Sequence, residues 1–188
     1  MIEQFKTRIR NEIQISDENL NKIVACVRPE TIKRNGFLLS QGQVCKKFYF
    51  LTTGCIRTYY IDKKGNEKTR LILFENSPFT VLTSFITQQP SMELCDALED
   101  SEVLSMSHAD FFRFVDEIPR WEHIYRKLLE ITFIFQNQRI EDLVTLSAKE
   151  RYNKLIKERP HYIQRLSNSM LASYLDMSQE TLSRLKSK

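Results

Sequence analysis

Near the C-terminal end, the stretch Ser178-Gln179-Glu180-Thr181-Leu182-Ser183-Arg184 crowds hydrogen-bonding side chains between leucines. An arginine can grip O6 and N7 of a guanine with two bonds. A glutamate can accept from a cytosine amino group, and a glutamine can pair with adenine. Ser178 is placed to cap a helix running from Gln179 to about Lys186. On such a helix Glu180 and Arg184 stand four residues apart, share a face and can brace each other. Gln179, Glu180, Thr181, Ser183 and Arg184 are therefore the candidate base readers. Arg165, Ser167, Ser169, Ser178, Lys186 and Lys188 are candidates for phosphate oxygens, contacts that position a protein without reading sequence.

Other chemistry finds less support. His108, His123 and His161 fall in different elements with no nucleophile or metal spacing. Asp96, Glu99 and Asp100 fall at a strand end and turn, where solvated acids are common. Cys26, Cys45, Cys55 and Cys95 are far apart with no CxxC pair, which suits free thiols in a reducing compartment better than zinc. Only four glycines occur in 188 residues, and no phosphate-cradling glycine motif is present. An enzyme is not expected, with no catalytic or metal residues assigned. No apolar run is long enough to span a bilayer, and the N-terminus lacks the apolar core of a secretory signal, so a cytoplasmic protein without a membrane partner is expected.

The net charge of +4 is unevenly spread. Residues 149–188 hold nine Lys/Arg against four Asp/Glu, while the rest holds 19 against 20. A basic end on a near-neutral body suggests a polyanion partner for that end.

The elements that must position these groups follow from periodicity. Residues 1–28 read as helical, with Ser16 as an N-cap and Arg28-Pro29 as the stop. From Ile32 to Ser107, short aromatic and β-branched runs alternate with turn signals, including Asp62-Lys63-Lys64-Gly65-Asn66 closing a hairpin. That pattern predicts an antiparallel sandwich, roll or barrel. His108–Val115 reads as a short helix. Pro119 opens a long helix with apolar residues on more than one stripe, among them Trp121, Ile124, Leu128, Ile131 and Phe135. A second copy of the chain is the expected partner for that helix. Ala148–Glu158 is helical, and Pro160 breaks the pattern. Asn168–Leu175 and Gln179–Lys186 then form two helices joined only by Asp176-Met177-Ser178. Leu171, Leu175, Met177, Leu182 and Leu185 suit a small shared core, with Ala172 at the crossing and Asp176 where a positive φ is needed. The stretch reads as a helix-turn-helix whose second helix enters the major groove.

These residues carry a resemblance. A hairpin-rich roll with Gln41-Gly42, Phe48–Gly54, Asp62–Glu67 and Ala97–Leu104, followed by a long helix and a terminal SQETLSRLK, resembles the Crp/Fnr superfamily of bacterial transcription regulators. The resemblance implies an α+β chain: an antiparallel β-roll (a cyclic-nucleotide-binding-like double-stranded β-helix) with flanking helices, a long dimerisation helix and a C-terminal helix-turn-helix. The division expected is 1–117 sensor, 118–146 connecting helix and 147–188 DNA-binding domain. It implies a homodimer on two-fold symmetric double-stranded DNA, with Glu180 and Arg184 reading bases.

Three departures from the family pattern follow. The effector pocket candidates are Phe74, Glu75, Phe79, Thr80, Ser91, Met92 and Glu93. Cyclic-nucleotide-binding members have a Gly-Glu pair and an Arg there. This sequence has neither, and Glu93 puts a carboxylate where the cation should be, so a cyclic nucleotide is not expected. Cys26 stands alone near the N-terminus, so no iron–sulfur cluster is expected. The family's β-hairpin wing has no counterpart after Lys186, so the wing is expected to be absent or truncated. An effector, if there is one, stays unidentified. The alternative function is a small-molecule binding module with a weak or vestigial DNA-binding domain.

Overall fold

Five serines set the start of five helices. The hydroxyls of Ser16, Ser107, Ser147, Ser167 and Ser178 each accept a backbone N–H three residues on, at 3.0–3.3 Å. Each satisfies one of the four amides that a helix start leaves unpaired. At Ser147 the Glu150 carboxylate answers back to the Ser147 amide, completing a capping box.

The structure is a computed structural model and describes residues 1–187. In chain order the elements are α1 (Ile2–Glu12), α2 (Asp17–Ala25), β1 (Arg28–Ile32), β2 (Phe37–Leu39), β3 (Lys47–Thr53), β4 (Ile56–Ile61), β5 (Glu67–Leu73), β6 (Ser77–Phe79), α3 (Leu82–Thr87), β7 (Leu94–Ala97), β8 (Ser101–Ser107), α4 (His108–Glu117), α5 (Trp121–Thr145), α6 (Ala148–Glu158), α7 (Pro160–Arg165), α8 (Asn168–Tyr174) and α9 (Gln179–Lys186). The chain is thus α+β, as expected. Four elements, β1, β6, α3 and α7, escape the sequence pattern. Arg28-Pro29 does not merely stop a helix but begins β1, while β6 and α3 are too short for periodicity to register. Pro160 opens α7 at its first position, where the missing N–H costs nothing.

The strands form two four-stranded sheets, ordered β1-β8-β3-β6 and β2-β7-β4-β5. In the first, β8 pairs antiparallel with both β1 and β3, from Arg28↔Ser105 to Ile32↔Ser101 and from Lys47↔Ser107 to Leu51↔Val103. Gly54 sits at φ +99°, and a Cβ there would lie 2.7 Å from the Ser101 Cα, so no other residue fits this corner. In the turn after β4, the Asp62 carboxylate accepts from the amides of Lys64 and Asn66 at 2.8 and 2.9 Å, and Gly65 takes the positive φ.

The chain divides into two compact units: residues 1–58 with 72–130, and residues 59–71 with 131–188. The sequence division at 117/118 and 146/147 does not coincide with them, because the tip of the β4–β5 hairpin groups with the C-terminal half and α5 spans the boundary. The first unit is built on an apolar core that includes Phe5, Ile9, Phe50, Leu51, Phe85, Leu104 and Phe111. In the second, Tyr152, Leu155, Tyr162, Leu166, Leu171, Tyr174, Leu175 and Leu182 are buried.

Candidate nucleic-acid interface

The helix-turn-helix is built from its turn outward. Leu175 ends α8, and Asp176 follows at φ 50°. The Met177 amide donates to the Ala172 carbonyl at 3.0 Å and the Asp176 amide to the Ser173 carbonyl at 3.3 Å. That is the Schellman closure of a helix, with aspartate where glycine is commonest. Leu171, Ala172, Leu175 and Leu182 are buried at the crossing, while Met177 and Leu185 are half-buried.

Three arginines hold this turn from beneath. Arg139 donates to the Tyr174 carbonyl at 2.7 Å and lies over the Tyr174 ring at 4.6 Å. Arg151 donates to the carbonyls of Leu175, Asp176 and Leu146. Arg159 donates to the hydroxyls of Tyr162 and Tyr174, both at 3.2 Å. The helix C-terminus exposes carbonyls with no intrahelical partner, and cations suit that end of the dipole. The hairpin tip joins the same turn. Lys68 pairs with the Asp176 carboxylate at 2.7 Å, the Ser173 hydroxyl donates to the Glu67 carbonyl, and the Thr69 amide donates to Ser173. Arg139 also donates to the Thr69 carbonyl at 2.8 Å. Sequence reasoning missed this set: β4–β5 lies about a hundred residues upstream, and no local pattern links it to the turn.

With Leu182 turned inward, α9 presents Gln179, Glu180, Ser183 and Arg184 to solvent and Thr181 at the margin. Glu180 and Arg184 do not brace each other directly. Glu180 turns back to the start of its own helix, where the Ser178 hydroxyl, foremost, holds its carboxyl below the usual carboxylate range; Arg184 adds a smaller pull. The Arg184 guanidinium has no hydrogen-bond or ion-pair partner among the described residues. It can reach outward at no cost in broken contacts.

The phosphate candidates are less uniform. Ser167 and Ser178 are exposed but occupied as N-caps, and Ser169 bonds to Ser167 at 2.9 Å. Lys186 is tied to the Asn168 side chain. Arg165 is exposed and also engaged, and Lys188 lies outside the described residues. The basic excess is partly consumed at home. Arg151 and Arg159 serve the turn, and Lys154 pairs with Asp142 at 2.7 Å.

The five apolar residues assigned to a dimer seam on α5 do not share a fate. Trp121 is 1% exposed, packs edge-on to Phe111 and Phe114, and donates to the Phe111 carbonyl. It belongs to its own core, because a helix start beside the Phe-rich face of α4 is covered at once. Ile124 and Leu128 pack on that core. Phe135 lies beneath the Arg159 guanidinium at 5.4 Å. Of the five only Ile131 is exposed. The exposed apolar face instead runs through Phe133 (69% exposed), Ile140 (60%) and Val144 (79%), spaced by seven and four residues on one side of the helix.

The effector candidates differ in their surroundings. Met92 points to solvent. Phe79 is a core residue stacked on Tyr49 at 5.1 Å, and the Thr80 hydroxyl donates to the Lys47 carbonyl. The Glu75 carboxylate accepts from the Gly54 amide at 3.2 Å, and Phe74 is half-buried. Ser91 and Glu93 do meet: the Glu93 amide donates to the Ser91 hydroxyl at 2.9 Å, and that hydroxyl donates to the Glu93 carbonyl. Glu93 is 4% exposed. The neighbouring sheet holds a buried arginine that sequence reasoning passed over. Arg57 pairs bidentately with Asp96 on β7, at 3.0 and 2.7 Å. Arg57 and Asp96 differ by 39 positions, and only the β4–β7 pairing makes them partners. With this arginine given to a carboxylate and Glu93 buried, the residues do not fit the phosphate of a cyclic nucleotide.

Residues 29–117 match the family described as the cyclic nucleotide-binding domain. An uncharacterised protein of Haemophilus influenzae is 25% identical over 122 residues, covering 64% of this chain and 92% of its own. Among solved structures, FixK2 from Bradyrhizobium japonicum superposes with a TM-score of 0.77 at 14% identity, covering 86% of this chain and 83% of that one. A transcriptional regulator of the Crp/Fnr family from Eubacterium rectale gives 0.73 at 15% identity, covering 91% and 82%. The resemblance to Crp/Fnr regulators thus holds at the level of the fold. No helix among the described residues is long and apolar enough to cross a membrane.

Proposed function

We propose that this chain, which shares its fold with Crp/Fnr regulators, is a sequence-specific transcription regulator that binds double-stranded DNA as a homodimer in the cytoplasm. The observation that carries the reading is the outward face of α9. A buried Leu182 fixes the helix on its support, and Arg184, without a hydrogen-bond or ion-pair partner among the described residues, stands with Gln179, Glu180 and Ser183 on the side turned away. Such a helix end matches the width and the donor–acceptor pattern of the major groove. Phosphate contacts would come from the Ser167 and Ser178 ends of α8 and α9, where helix amides also favour anions.

Two-fold assembly through α5 is supported by the stripe Phe133, Ile140 and Val144, too apolar to leave in water without a partner. The effector, if one acts, is not a cyclic nucleotide: Glu93 and the Arg57–Asp96 pair oppose one. The chain uses no metal or iron–sulfur cofactor and catalyses no reaction.

The test is selection of bound duplexes from a random pool at stated salt, followed by sequencing. A palindromic consensus is expected, and an unenriched pool would remove the reading. A second reading is a small-molecule module with a weak DNA-binding unit. What favours it is that Arg151, Lys154 and Arg159 are spent inside the unit. Under that reading binding to DNA stays weak and without sequence preference at every salt concentration.

A further inference from the structure

A trough of about 560 Å³ opens along the free edges of the first unit, between β1, β2 and the start of β3. None of the seven effector candidates lines it. Its volume lies within the range of about 300–1,000 Å³ typical of small-molecule sites. Ile32, Leu38, Leu39 and Val44 supply apolar walls, and Phe37 forms an exposed lip.

Two polar groups in this trough, the Tyr49 hydroxyl and the Lys46 ammonium, have no partner among the described residues. Tyr49 is 7% exposed, and Phe79 stacks on its ring at 5.1 Å with a 17° tilt, which holds the ring in place. Its hydroxyl has no hydrogen-bond partner among the described residues. The groups that bear on that hydroxyl include Glu30 and Cys45, which line the same trough. The ring is buried while the hydroxyl opens onto the trough, where it is free to donate to a ligand. At the rim, Lys47 pairs with Glu30 at 2.7 Å, and Glu30 also takes the Ser105 hydroxyl. The ammonium of Lys46 is left over, with no partner among the described residues. The rim therefore carries one spare positive charge, and the Glu30 carboxylate is already neutralised.

We propose that this trough binds a small apolar carboxylate, its body against Ile32, Leu38 and Val44, its carboxylate taken by the Tyr49 hydroxyl and the Lys46 ammonium. The phenol stays protonated and donates, because burial raises its pKa. The inference stands on the first unit alone and does not require that the chain read DNA.

The test is isothermal titration of the full chain with 2-naphthoate and with octanoate, and with 2-naphthamide as the uncharged control. At least one carboxylate binds with a Kd below about 1 mM. The amide binds at least about fivefold more weakly than the naphthoate, and Tyr49→Phe and Lys46→Ala each weaken the carboxylate by about threefold to tenfold. Val44→Trp, which fills the trough, abolishes binding, while circular dichroism shows each variant folded. Should Val44→Trp fail to fold, Lys46→Glu replaces it and must lose carboxylate binding. No heat from either carboxylate at about 5 mM, or wild-type affinity in Tyr49→Phe or in the blocked variant, overturns the proposal.

Discussion

Under the proposed reading, Arg184 is the residue that discriminates between bases. It has no hydrogen-bond or ion-pair partner to lose among the described residues, so Arg184→Ala is expected to leave the fold alone and remove only what the side chain does outside. We expect a loss of about 1–3 kcal/mol on the best duplex, with discrimination at one base position relaxed. A gel-shift competition showing unchanged selectivity would remove that role. Titration of two buried groups supplies a second test. Burial pushes both the Tyr49 phenol, ordinarily at 10.0, and the Cys95 thiol, ordinarily at 9.0, upward. In the unfolded chain each ionises near its ordinary value, while in the folded chain each stays neutral to higher pH. Stability from these groups is therefore fully present below pH 9 and is lost as pH rises beyond it. The decline is about 1.4 kcal/mol per pH unit for each group in its window. Urea melts from pH 8 to 11 should show it, with a shallower fall in Tyr49→Phe.

At the scale of elements, the turn between α8 and α9 depends on groups from far along the chain. Arg151 satisfies carbonyls at the end of α8 and just beyond α5. Arg151→Met keeps the aliphatic stem but strands those acceptors. We expect a loss of about 1–3 kcal/mol, seen as faster amide exchange in α8 and α9. The seam on α5 is tested separately. Ile140→Glu places a charge in the middle of the apolar stripe, so sedimentation should register a monomer where the parent chain sediments as a dimer. Trp121, by contrast, answers to its own core: Trp121→Ala should cost about 3–5 kcal/mol of stability through a cavity.

For the whole molecule, the useful quantity is salt dependence. Nine Lys/Arg lie in residues 149–188, and three of them, Arg151, Lys154 and Arg159, are committed inside the unit. At most six per chain remain for phosphates. The slope of log affinity against log salt should therefore stay below about 0.9 times six per chain in magnitude. A steeper slope would mean that the internal arginines leave their carbonyls on binding DNA. Net charge alone misjudges the electrostatic footprint, because a guanidinium bonded to a helix end is not available to a polyanion.

Much was legible from the chain alone where causes are local. Serine caps, hairpin turn chemistry and the apolar spacing of α6, α8 and α9 act within a few residues, so Ser16, Ser178 and the positive φ of Asp176 followed from neighbours in sequence. The helix-turn-helix and the β-roll were readable for the same reason. Folding alone decided what depends on residues brought together from afar. The hairpin tip meets the α8–α9 turn through Lys68 and Asp176, Arg57 finds Asp96, and Trp121 sinks into its own core while Phe133, Ile140 and Val144 stay in water. Periodicity reports which faces of a helix are apolar. Which of those faces is covered depends on the distant strands and helices that arrive against it, and that is a property of the folded chain.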